Sequence, residues 1–101
     1  MADNEERVFA DLTAEDTGTD SLQLRQQGNT FDLSITGTFT ATVTLQRKRR
    51  YDGASKWRDI TSYTSAAQEI GEMRGRWDVR LYIKSGDYTS GTVVAELGAG
   101  D

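Results

Sequence analysis

The sequence predicts an all-β fold: an antiparallel β-sandwich of about seven short strands, immunoglobulin-like or jelly-roll-like, with an extended N-terminal arm. Three observations carry this. Apolar and polar residues alternate with period two in several stretches, most clearly Phe31–Thr36, Thr38–Gln46 and Trp77–Lys84. The polar face of these stretches is rich in β-branched threonine (Thr40, Thr42, Thr44), which fits a pleated surface better than a helix. Turn signals separate them, and the chain has no proline to remove an N–H from a ladder. One apolar and one polar face per strand means antiparallel sheets with one side wet.

Residues 1–20 read as an acidic N-terminal arm. Val8, Phe9 and Leu12 form its apolar cluster, and TAEDTGTD follows as loop. A helical turn near Glu5–Ala10 is too short to stand alone. Leu22 and Leu24 alternate with Gln23 and Arg25 as a half-buried strand, and Gln27-Gly28-Asn29 turns the chain. Phe31, Leu33 and Ile35 form the next apolar face, and Gly37 punctuates. The alternation then resumes through Phe39, Ala41, Val43 and Leu45, read as one strand closed by Arg47, Lys48, Arg49 and Arg50. Tyr51–Lys56 is a hairpin connection built on Asp52-Gly53. Trp57 is expected to cap the core, with Ile60 beyond it. Ser65–Glu72 reads as a short strand or crossover, and 71–75 as loop. Trp77, Val79, Leu81 and Ile83 mark the second clear core strand. Ser85–Gly91 is a turn-rich connection, and Val93, Ala95 and Leu97 belong to a last strand. The domain is expected to span 21–98, with 99–101 as a tail. The predicted core is Leu22, Leu24, Phe31, Leu33, Ile35, Phe39, Val43, Leu45, Trp57, Ile60, Trp77, Val79, Leu81, Ile83, Val93 and Leu97.

The 101 residues make one domain with one modest core. The chain has no cysteine, hence no disulfide or thiolate metal site, and no histidine, which removes the usual general base and the commonest neutral metal ligand. No apolar run approaches the roughly 20 residues of a helical membrane span. The first residues lack the basic and apolar regions of a secretory signal, so synthesis in the cytoplasm is expected. Carboxylate pairs exist (Asp52 with Asp59, Asp78 with Asp87), but a glycosidase needs its two carboxylates in a cleft that admits a sugar, and a small single sandwich has little room for one. Neither DYTSG nor YDGAS has the dense acidic spacing of a calcium loop. Serine or threonine nucleophiles lack a histidine, and no glycine-rich phosphate loop lies between a strand and a helix. The reading is no enzyme, no catalytic residue, no metal and no cofactor.

The formal charge of −4 conceals an asymmetry. Residues 1–20 hold seven acids against Arg7, a net of −6, while residues 21–101 hold nine acids against eleven bases, a net of +2. The arm is therefore expected to dock on its own body or on a neighbouring chain, with Val8, Phe9 and Leu12 as anchor. Arg47, Lys48, Arg49 and Arg50 are the basic counterpart. Four contiguous bases with Asp52 and Asp59 nearby read better as edge protection, or as contacts to acids of a neighbouring chain, than as a phosphate patch. Nucleic acid and membrane are not expected partners. These seven residues are the candidate partner-binding set, and a sandwich lacking residues 1–20 is expected to fold.

TGTFTATVTLQR, a D-G turn, KWRDITSYT and WDVRLYIKSGDYTSGTVVAEL together resemble a family of small β-sandwich virion structural proteins of tailed bacteriophages and prophages. The resemblance covers about Thr36–Leu97 and leaves out the arm. The chain departs from the family at Ala54, where a second glycine is common, and at Arg49-Arg50, which bears on turn geometry. The resemblance implies a non-enzymatic virion protein made in the host cytoplasm. Capsid decoration (a cement protein) is the favoured role, with the major capsid protein as partner and a homo-oligomer in the particle. The alternatives are a head–tail or tail-associated structural protein, or a carbohydrate-binding or host-adhesion module. In the last, Tyr51, Trp57, Tyr63, Tyr82 and Tyr88 would stack on a glycan, although ordinary core and hairpin packing explains those aromatics as well.

Overall fold

The structure is a computed structural model that describes residues 6–24, 29–49, 56–73 and 77–100. Among the described residues lie eleven strands and no α-helix: β1 (Glu6–Leu12), β2 (Thr17–Gly18), β3 (Leu22–Leu24), β4 (Asn29–Thr36), β5 (Phe39–Ala41), β6 (Val43–Arg49), β7 (Arg58–Tyr63), β8 (Ala67–Met73), β9 (Trp77–Ile83), β10 (Tyr88–Gly91) and β11 (Val93–Gly100). They build an all-β, antiparallel, sandwich-like fold. One sheet runs β1-β11-β4-β8. The other runs β2-β9-β6-β7, with β3 joining β9 alongside β2. A two-stranded ribbon of β5 and β10 stands apart from both.

Period-two alternation dictates what fills the space between the sheets. Phe31, Leu33 and Ile35 of β4 face inward beside Ala99, Leu97 and Ala95 of β11. Leu45 of β6 lies opposite Leu81 of β9, and Leu22 of β3 opposite Val79, all buried. Val8 and Ala10 of β1, Phe39 and Ala41 of β5, and Tyr88 of β10 pack around this core as half-buried neighbours. Glycine is required at two corners. Gly37 (φ 101°) and Gly91 (φ 91°) occupy the left-handed region where the chain enters β5 and leaves β10. A Cβ on Gly91 would stand 2.2 Å from the Thr38 carbonyl oxygen, the acceptor of the Thr92 N–H at 3.0 Å.

Several expectations are corrected. The strand count rises from seven to eleven because the Phe39–Leu45 alternation is two strands, and because short edge pieces carry too few residues to show a period. Thr42 breaks the alternation by giving its N–H to the Asp87 carbonyl (2.8 Å) rather than to a ladder, so β5 pairs with β10 while β6 joins the large sheet. The supposed turn 85–91 holds β10. The turn near Glu5–Ala10 is strand β1, since alternate residues of that stretch complete the core against β11. The arm is therefore an edge strand of the sandwich from Glu6 to Leu12, with Leu12 buried. Trp57 is half-buried on an outer face, not in the core. Ile60 is 43% exposed, because a register shift between Thr61 and Asp59 leaves it without a partner on β6. Trp77 and Phe39 are partly buried, while Leu12, Ala95 and Ala99 join the core.

Candidate binding face

The outer face of the five-stranded sheet carries the densest arrangement of polar and aromatic side chains. Residues of β6 and β9 whose neighbours point inward must point outward, so the register sets Lys48 beside Asp78, Gln46 beside Arg80 and Thr44 beside Tyr82. On the far side of β6, Asp59 and Ser62 of β7 meet Gln46 and Thr44. Lys48 Nζ donates to Asp78 Oδ2 at 3.2 Å. Arg80 Nε donates to Gln46 Oε1 at 2.8 Å, and Gln46 Nε2 donates to Asp59 Oδ1 at 2.9 Å. Lys84 Nζ closes the chain on Asp59 Oδ2 at 2.6 Å. Thr44 and Ser62 share a hydrogen bond of 3.1 Å.

Aromatic rings sit over this network. The Arg80 guanidinium lies 4.2 Å from the Trp57 ring centre and 4.0 Å from that of Tyr82, held between the two. Lys48 Nζ approaches Trp57 at 5.5 Å. A cation between two rings gains from both π faces and keeps its planar donors in one orientation. Burial lowers the Arg80 pKa from its ordinary value, and Tyr82 works in the opposite direction. The hydrogen bond from Lys84, then that from Gln46, lowers Asp59 below the usual carboxylate value. The same bond to Asp59 raises Lys84. The outcome is a surface on which Arg80 and Tyr82 of β9 meet Trp57, the residue just before β7.

The predicted partner-binding residues are dispersed. Val8 and Leu12 point into the sandwich, whereas Phe9 points out of the opposite sheet and is 68% exposed, because successive residues of a strand face opposite ways. The basic run is split by the same rule. Arg47 and Arg49 stack on Trp77 at 4.1 and 5.6 Å from its ring centre, while Lys48 joins the outer network. Arg50 lies outside the described residues, as do Tyr51–Ser55 of the expected hairpin. Of the described residues of the predicted set, Lys48 belongs to the outer network of the five-stranded sheet. Sequence reasoning missed Gln46, Asp59, Arg80 and Lys84. The polar positions of Trp77–Lys84 carry a signal (Asp, Arg, Tyr, Lys), but their partners lie on β6 and β7, a register that the sequence does not print.

No family model matches the chain, and no curated protein does. Among solved structures, the chain is similar to the PliG protein of Aeromonas hydrophila, a periplasmic lysozyme inhibitor of g-type lysozyme. The TM-score is 0.54 at 13% identity, over 98% of this chain and 87% of that one. At this identity the likeness shows the fold. The expected virion role, capsid decoration first and head–tail, tail-associated or host-adhesion roles as alternatives, is corrected by this finding: the solved neighbour is a bacterial inhibitor, not a component of a phage particle. It is also an inhibitor rather than an enzyme.

Proposed function

We propose that this chain is a non-catalytic protein-binding module that acts by covering its partner's surface, as an inhibitor does. The observation that carries this is Arg80 held between Trp57 and Tyr82 on the outer face of the large sheet. Trp, Tyr and Arg dominate the energetics of protein interfaces, provided that they are held rigidly and water can be excluded around them. Here β9 carries Arg80 and Tyr82, the Arg80–Gln46–Asp59–Lys84 network fixes Arg80, and Trp57 packs on Arg80, all before any partner arrives, which lowers the ordering cost of association. The solved neighbour supports an inhibitory role, and its target class, a g-type lysozyme, is the first partner to test.

The test is titration of a purified g-type lysozyme with the full chain, followed by calorimetry and by loss of lytic activity. Saturable binding with inhibition is the expected outcome. Trp57→Ala and Arg80→Ala should each weaken it by about 30-fold, the scale of an interface hot spot. Variants that keep their circular dichroism and still bind at full strength would show that this face is not the contact. A wild-type chain that neither binds nor inhibits the lysozyme removes that enzyme class as the target.

A further inference from the structure

Among the described residues, the opposite sheet ends on an open strand edge. Among the described residues, β1 pairs with β11 along one edge, and no strand pairs with its other edge. Edge strands ordinarily carry charged side chains (lysine above all), a proline or a bulge that discourages further pairing. β1 has neither Lys nor Pro, and its register with β11 runs from Glu6 to Leu12 without a shift. Its charges are Glu6, Arg7 and Asp11, and Arg7 leans back over its own sheet, donating to Glu96 at 2.8 Å and to Asp32 at 3.2 Å. Its central outward residue, Phe9, is 68% exposed.

The central five residues of β1 are self-complementary. An antiparallel two-fold through Phe9 sets Phe9 against the partner's Phe9, Arg7 against the partner's Asp11, and Val8 against the partner's Ala10, with Glu6 against the partner's Leu12 at the two ends. Each pairing keeps its face. Phe9, Arg7 and Asp11 remain outward, while Val8 and Ala10 prolong the apolar inner face. Paired aromatics directly across a ladder are a favourable combination, and so are opposite charges, which Arg7 would add to its bonds with Glu96 and Asp32 of its own chain. The other outer strand of this sheet, β8, offers no such match. A two-fold through Ile70 sets Gln68 against Glu72 and Glu69 against Gly71.

We propose that two copies of this chain pair through β1 into a two-fold dimer, joining their four-stranded sheets into one continuous sheet. The contact is isologous, the commonest symmetry of small oligomers. It leaves the Trp57–Arg80–Tyr82 face of each copy uncovered, so the dimer offers two copies of the proposed binding face and does not depend on that proposal.

Sedimentation equilibrium of the full chain should report a dimer that dissociates on dilution. Phe9→Lys sets two like charges on the axis and should yield a monomer with unchanged circular dichroism, as should Phe9→Glu. Mixing the two variants should restore a dimer. The register has its own readout, since the chain has no native cysteine. Residues facing each other across an antiparallel pair lie about 4.5–5.5 Å apart at Cα, within disulfide reach. Phe9→Cys should therefore oxidise to a covalent dimer. Asp11→Cys, about 13 Å from its counterpart in this register, should not. A monomeric wild type, or equal cross-linking of both cysteine variants, overturns the proposal.

Discussion

Arg80 shows how one residue's environment is assembled from three elements. Its place on β9 is local, its acceptor Gln46 sits on β6, and its upper ring, Trp57, precedes β7. Two neighbouring residues give pH-dependent predictions. Asp59 has its pKa lowered below 3.8, chiefly by the Lys84 bond. The folded state therefore holds this proton less tightly than the unfolded chain, and the resulting stability is present above 3.8 and lost as the pH falls through the folded value. Urea melts across that acid range should show wild type losing stability more steeply than Asp59→Asn, by only a modest amount since the pair is exposed. Tyr63 donates to Glu69 Oε1 at 2.5 Å, and burial, followed by that acceptor, raises its pKa from 10 to about 12. For this acid, stability is complete below 10 and is lost as the pH rises from there through about 12. The loss should be modest, since the side chain is largely open to solvent screening, and Tyr63→Phe should flatten it in alkaline melts. In the core, Leu24→Ala should cost about 2–5 kcal/mol, whereas Ile70→Ser, at an 83% exposed position, should stay within about 0.5 kcal/mol by denaturant unfolding.

Strand β1 is the element whose role changed most between sequence and structure. A chain that starts at Ser21 loses β1 and β2, uncovers the edge of β11 and removes the buried Leu12, worth about 2–5 kcal/mol by itself. The truncated chain should melt well below the full one or fail to fold. A melting temperature equal to that of the full chain would mean that β11 tolerates an open edge. The β5–β10 ribbon depends on its corner glycine. Gly91→Ala places a methyl against the Thr38 carbonyl at a φ of 91°, and should cost about 1–3 kcal/mol in thermal melts. Gly86→Ala is the control: φ is 84° there but no atom lies within 4 Å of the added carbon, so the difference between the two variants isolates the clash.

At the scale of the whole molecule, the shape decides where function can lie. The Cα envelope measures 40 × 30 × 17 Å, and its thin dimension is filled by two sheets and their core. No group of three His, Cys, Asp or Glu among the described residues is placed to hold a metal ion. Thermal melts with and without a chelator should superimpose, and a fall in melting temperature on chelation would contradict this.

The sequence by itself determined the sandwich. In β4 and β9 the inward residues alternate without interruption, Phe31, Leu33 and Ile35 in one and Val79, Leu81 and Ile83 in the other, and burial of those sets admits one choice of face. It also placed strand material near Ala67, where composition without a clear period left strand and crossover both open. Only the tertiary structure decided which strands are neighbours. Whether Val8 and Leu12 anchor a tether or complete a core depends on β11, more than eighty residues later in the chain. Whether four consecutive bases form a patch depends on which two turn toward Trp77 and which joins Asp78. The meeting of Trp57 with Arg80 and Tyr82, neighbours on one face of β9, likewise follows from the β7–β6–β9 order of the sheet. The physical reason is common to all three: alternation specifies which face of a strand is buried, whereas the hydrogen bonds that join strands are made by a backbone nearly identical in every residue. Register is then chosen by the fit of the whole core.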